Sequence, residues 1–267
     1  MAYLLPPPPR YIQVEKSVQI SPHLQRIYFS SENFSDFPAE LGAHIKLFFP
    51  EQAALKPVLP QRDAQGKVTW PLGKKPITRT YTIRDFLTEK QWLVVDFVRH
   101  EAFGIAAHWA SQAQVGQFLG LAGPGGQARF QADADYFVFM VDLSGLAMLA
   151  ASLECLPAHA LGQVWIEIDN DADQIPLNAP QGIQIKWRTE HQQLEQEIDQ
   201  QLEQLNWDTE QISVTIAGEN ARVVALRQLL KRKYAVPKAS LYAVPYWKNG
   251  QDEEHYHQER HRVMDET

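Results

Sequence analysis

The sequence predicts a two-domain protein, an N-terminal antiparallel β-barrel followed by a C-terminal α/β domain with a parallel sheet. Three observations predict it. From Arg10 to about Gly123, short segments rich in β-branched and aromatic residues are punctuated by turn residues. Beyond about residue 135, apolar strands alternate with helical stretches, the rhythm of a parallel sheet with covered faces. A length of 267 residues suits two ordinary domains, and 45% hydrophobic residues give each a core. The boundary falls near Arg129 to Ala134, giving domains of residues 1–128 and 129–267.

Residues 6–9 are four consecutive prolines and read as a polyproline II arm. Segments 11–14, 25–29, 44–49, 78–84 and 92–98 read as barrel strands, with Ser21-Pro22 and Gln65-Gly66 as turns. Residues 105–111 form a helix-like interruption. The glycine-rich run 120–126 reads as a tight turn at the domain junction. In the second half, 136–141, 164–168, 183–187, 212–216 and 241–244 read as strands, and 146–156, 191–205 and 221–234 as helices. Ligands of such sheets bind beyond the carboxyl ends of the strands.

The formal net charge of −7 disfavours non-specific attraction to nucleic acid or to a membrane. Cys155 is the single cysteine, so no intramolecular disulfide is expected, and its apolar surroundings read as a buried thiol. No signal-peptide core and no bilayer-length apolar run is present, so a soluble, cytoplasmic chain without membrane insertion is expected.

Four constellations suit chemistry. Arg79-Thr80-Tyr81-Thr82-Ile83-Arg84 alternates on a strand, with Arg79, Tyr81 and Ile83 on one face and Thr80, Thr82 and Arg84 on the other. An aromatic plane, hydroxyls and cations are what a flavin needs; the plainer alternative is a half-buried barrel strand. Asp96-Phe97-Val98-Arg99-His100 leads through Gly104 into a helix opening with Ala106 and Ala107, a corner that suits a pyrophosphate. Trp109 as a core anchor is the competing account. Asp142-Leu143-Ser144-Gly145 and Ala217-Gly218-Glu219-Asn220 follow strands where a nucleotide meets a parallel sheet, although no G-x-G-x-x-G occurs. Ser144 and Asn220 are also simple N-cap candidates. His255, His257 and His261 lie in a charged tail that reads as solvated, and no metal site is expected. No G-x-S-x-G elbow is present.

In their order these motifs resemble the siderophore-interacting proteins, NAD(P)H-dependent ferric-siderophore reductases related in fold to ferredoxin–NADP reductases. The resemblance also rests on residues 42–47, Gly123-Pro124 and Tyr246-Trp247-Lys248-Asn249-Gly250. It implies FAD in the barrel, met by Arg79, Tyr81, Thr82 and Arg84, and at the corner by Asp96, Val98, His100, Gly104, Ala106 and Ala107. Ile105 and Ala107 replace the family's usual proline and serine there, which removes one hydroxyl contact. It implies NADH or NADPH at Asp142, Ser144 and Glu219, where Asp142-Leu143-Ser144-Gly145-Leu146-Ala147 departs from the family's Asp-Glu-Thr-Ala-Leu-Pro. Lys46, Arg129 and Lys248 match the basic residues around a substrate pocket.

The expected activity is transfer of electrons from NAD(P)H through FAD to a ferric siderophore, releasing Fe(II), with no protein catalytic base. An anionic ferric siderophore would be drawn to local cations on an otherwise acidic chain. Two alternatives stay open: a flavin oxidoreductase with another acceptor, and a non-enzymatic siderophore-binding protein. Ferredoxin stays open as the electron donor. Arg222 and Arg227 are candidate 2′-phosphate contacts that do not separate NADPH from NADH.

Overall fold

The structure is a computed structural model that describes residues 7–32, 34–63, 67–100, 104–126, 128–189, 193–207, 210–251 and 256. The chain divides into two compact units, Met1–Gln127 and Ala128–Thr267.

The first unit contains β1 (Arg10–Ser21), β2 (Leu24–Ser30), β3 (His44–Phe49), β4 (Gln61–Arg62), β5 (Val68–Thr69), β6 (Ile77–Thr82), β7 (Asp85–Leu87), β8 (Trp92–Val98), α1 (Ile105–Ser111) and β9 (Phe118–Gly125). Seven strands pair antiparallel in the order β6-β3-β9-β1-β2-β8-β7, and β4 pairs with β5 apart from them. The two end strands are consecutive in the chain, and the residues between them close the sheet. Ile83 donates its N–H to Ala43 O at 2.9 Å, on the β3 side, while Arg84 donates to Val94 O at 2.9 Å, in β8. A barrel results. Alternate residues such as Ile12, Val14, Ile45, Leu47, Leu93 and Val95 fill it, each less than 1% exposed. Each such burial stabilises by about 1.5–3 kcal/mol. Trp109 of α1 is a core anchor, with its ring stacked 6.4 Å from Phe29 and edge-to-face 5.7 Å from Phe49.

The second unit contains β10 (Tyr136–Asp142), α2 (Leu146–Cys155), β11 (Leu161–Glu167), β12 (Gly182–Arg188), α3 (Leu194–Leu202), β13 (Ile212–Glu219), α4 (Asn220–Lys233) and β14 (Leu241–Trp247). Its sheet is parallel in the order β12-β11-β10-β13-β14. Strand order reverses between β10 and β13, so a crevice opens at their carboxyl ends. Helix α3 shows the spacing that fixes it: Leu194, Ile198 and Leu202 recur every four residues and are all buried.

Several expectations are corrected. The run 120–126 is mostly strand, because β9 pairs with both β1 and β3 and buries Leu119 and Leu121. Gly120 belongs in that strand for lack of a side chain: a Cβ would lie 2.4 Å from Leu59 Cδ2 and 2.8 Å from Phe48 Cδ2. Cys155 is exposed, since it ends α2 where the buried face of the helix runs out. Asn220 is not the cap of α4. Glu219 is, accepting from Ala221 N and Arg222 N. Asp142, not Ser144, caps the 3-10 turn before α2. Pro6, Gln65-Gly66, the start of the 191–205 helix, His255, His257 and His261 lie outside the described residues.

Candidate functional site

Strand β6 presents its side chains in two rows because it is paired along its length with β3, Tyr81 opposite Ile45 and Thr80 opposite Lys46. Tyr81 packs its ring on Phe97, centroids 4.3 Å apart, at the edge of the barrel core. On the other row Thr82 is buried at 8% exposure, next in register to His44. The His44 ring rests on the glycine edge of β9: a Cβ at Gly126 would lie 2.8 Å from its Nδ1. Lys46 donates to Thr80 Oγ1, and Arg79 Nη1 donates to Thr78 O at 2.9 Å. Arg84 sits at the barrel seam.

At the corner, the His100 imidazole lies over Gly104, where a Cβ would stand 2.5 Å from Cε1. Helix α1 has no side-chain N-cap, and Ala106 and Ala107 keep its first turn unobstructed. Backbone donors in an uncapped first turn suit an anionic group. Among the described residues the buried Trp109 Nε1 on the same helix has no acceptor. Asp96 is different: its carboxylate is taken up bidentately by Arg26, at 2.7 and 2.8 Å, on the sheet. The Asp96 side chain is thus tied to its neighbour strand β2. Hydroxyl, aromatic ring, cations and open amides together fit FAD.

In the second unit, Asp142 organises the carboxyl edge of the sheet. Its Oδ1 accepts from Ser144 N at 2.8 Å, Ser144 Oγ at 2.5 Å and Gly145 N at 3.3 Å. Its Oδ2 accepts from Glu219 N at 2.8 Å and from Trp247 Nε1 at 2.7 Å. Withdrawal from water pushes the carboxyl above its ordinary pKa, and these donors pull it back. Gly218 is required beside it: its φ is +151°, and a Cβ would stand 2.6 Å from Oδ2. Glu219 caps α4 and also accepts from Asn249 N at 3.3 Å, which ties the segment after β14 to the same edge. Thus Asp142, Ser144 and Glu219 are brought together.

The three cations have separate settings. Lys46 is engaged by Thr80 in the first unit. In the second, Arg129 precedes β10 and gives its carbonyl to Thr215 Oγ1 at 2.6 Å. Lys248 follows β14 directly, and its carbonyl accepts from Gln251 N. Sequence reasoning assigns no separate role to His44 or to the Trp247–Asp142 bond. The Gly42-Ala43-His44 motif hinted at the first. The second joins residues 105 positions apart and has no local signal.

Comparison with known proteins agrees with this fold. The family model for the siderophore-interacting FAD-binding domain matches residues 13–128, and that for the siderophore-interacting protein matches residues 134–250. Ferric vibriobactin reductase of Vibrio cholerae is 38% identical over 262 residues, covering 97% of this chain and 96% of that protein. The NADPH-dependent ferric-chelate reductase of Escherichia coli is 30% identical over 243 residues, covering 89% and 92%. The siderophore-interacting protein SipS from Aeromonas hydrophila superposes with a TM-score of 0.81 at 33% identity, covering 97% and 98%. Ferredoxin reductases at 13–15% identity and TM-scores of 0.61–0.66 share the fold alone.

The two units define a ferredoxin reductase-like flavoprotein, with FAD as cofactor of the first. The chain belongs to the siderophore-interacting protein family. No described helix is long and apolar enough to cross a membrane.

Proposed function

We propose that this chain is a cytoplasmic, FAD-containing ferric-siderophore reductase that takes electrons from NAD(P)H. The observation that carries this reading is the union, in one chain, of an FAD-binding barrel with a parallel sheet whose carboxyl edge is organised for a nucleotide. Tyr81 and Thr82 face the isoalloxazine ring. Arg79 serves the phosphate side and Arg84 the seam beside it. His100, Gly104 and the α1 amides at Ala106 and Ala107 hold the pyrophosphate, and Asp96 and Val98 line the site.

Asp142 acts indirectly. With five internal donors on its carboxylate, it shapes the loops after β10 and β13 and fixes Trp247, while Ser144 and Glu219 line the nucleotide edge. Lys46, Arg129 and Lys248 attract the anionic chelate. FAD held by these residues would supply the means to take two electrons as hydride from NAD(P)H and to pass them singly to Fe(III). Fe(II) is a poorer match for hard oxygen ligands, so reduction favours release. No side chain needs to act as a general base.

Purified protein should be yellow and retain FAD; colourless protein that takes up no added FAD would end this reading. Lys248→Ala should weaken binding of a ferric siderophore by about tenfold and leave FAD content unchanged. Parallel loss of both would contradict the role given to Lys248. Reduced ferredoxin is the competing donor, and bleaching of the flavin by ferredoxin but by neither nicotinamide nucleotide would replace NAD(P)H with it.

A further inference from the structure

With NAD(P)H as the donor, the carboxyl edge of the parallel sheet is where one nicotinamide nucleotide is told from the other. In parallel sheets with this strand order, the carboxyl end of the strand next to the first one, on the side away from the crevice, faces the adenosine ribose. An acid there accepts from a 2′-hydroxyl, whereas an arginine accommodates a 2′-phosphate. Here the strand is β11, and its last residue is Glu167. Both residue types are present, because Arg222 in the first turn of α4 reaches the same point.

The two side chains are paired with each other. Arg222 Nε lies 3.2 Å from Glu167 Oε2 and Nη2 lies 2.9 Å from Oε1, while Nη1 lies 2.7 Å from Glu195 Oε1. All three guanidinium nitrogens are thus engaged by two carboxylates. The Glu167 and Arg222 side chains are only 17% and 23% exposed, so water screens them less than a surface pair. Asp142 and Glu219 stand at the ends of β10 and β13. Arg188, which ends β12 in register with Glu167, is held by Glu197 at 2.7 and 2.8 Å, so five carboxylates oppose two guanidinium groups around this edge. A carboxylate oxygen can accept from a hydroxyl as well as from a guanidinium N–H, and a dianionic 2′-phosphate meets net negative charge.

We infer that Glu167, oriented by Arg222, selects NADH over NADPH by accepting the 2′-hydroxyl and repelling a 2′-phosphate. A bridge that merely ties α4 to β11 would leave the preference between the two nucleotides unmoved by its removal.

The test is calorimetric titration of FAD-loaded protein with NAD+ and with NADP+, alongside kcat/KM for NADH and NADPH. The expected result is a preference of about tenfold or more for the form without the phosphate. Glu167→Gln should narrow that preference by about tenfold, and Glu195→Gln, at a more exposed partner, should narrow it less. The second variant keeps the test decisive if the first fails to fold. NADP+ binding as tightly as NAD+, or an unchanged ratio in the variants, overturns the inference and leaves the reductase reading intact. No binding and no flavin reduction by either nucleotide overturns both.

Discussion

Gly104 and Gly218 are pressed against His100 and Asp142, so each glycine sets the position of a polar group. Gly218→Ala brings a Cβ against the Asp142 carboxylate and forces a side chain into a positive-φ backbone. We expect a loss of about 1–3 kcal/mol, read by denaturant unfolding. An unchanged midpoint would show that the Asp142 hub relaxes freely. Gly104→Ala displaces the His100 ring from the α1 corner and should weaken FAD retention by about tenfold with the fold preserved, measured as flavin absorbance per protein. Full FAD occupancy in that variant would remove His100 from the site. At this scale the sequence showed the alternation of Arg79 to Arg84, because a strand period of two is local. It did not show that Arg26 captures Asp96, or that Asp142 reaches Glu219 and Trp247. Those partners are 70, 77 and 105 positions away, and no pattern in a short window encodes them.

Among the elements, β8 and α1 are read from sequence to the residue, since β-branched runs and small helix-forming residues mark them locally. Strand β9 is not, because its glycines signal a turn when considered alone. Only the sheet shows that Leu59 and Phe48 occupy the space a side chain at Gly120 would need. The caps of α4 and of the turn before α2 fall one and two residues earlier than expected, because Glu219 and Asp142 reach forward to the free amides of the first turn. Helix α3 yields a pH prediction. The Arg188 guanidinium holds Glu197 below its ordinary pKa, and Lys233 holds Asp199 below its own. A carboxyl whose pKa is depressed on folding stabilises above its unfolded value and loses that contribution as pH falls through the folded one. The docking of α3 onto β12 and α4 should therefore weaken below the ordinary carboxylate range and stay constant above it. Hydrogen exchange of α3 amides from pH 6 downwards, corrected for intrinsic rates, measures this. Glu197→Gln should flatten part of the dependence, and an identical profile in the variant would contradict the assignment.

For the whole molecule, the change of rhythm near residue 130 made the class legible: closely spaced strands with turn residues before it, strands alternating with helices after it. What stayed hidden was which residues close the barrel. The segment from Arg79 to Arg84 reads as one strand, yet it leaves β3 at Ile83 and joins β8 at Arg84, and that exchange depends on the order of seven strands. The placement of Tyr81, Thr82 and Arg84 at this seam is what makes the strand both scaffold and candidate flavin surface. The central claim is electron transfer through the FAD unit to chelated iron, and one measurement tests it most directly. Under anaerobic conditions the FAD-loaded protein is reduced with NADH or NADPH, and a ferric siderophore is then added while flavin absorbance and Fe(II) capture by a chromogenic chelator are followed. The account predicts bleaching by the nucleotide, return of the oxidised spectrum on adding the siderophore, and about two Fe(II) per nucleotide consumed. A flavin that stays reduced in the presence of ferric siderophore, yet is reoxidised by a quinone or dye, would contradict it.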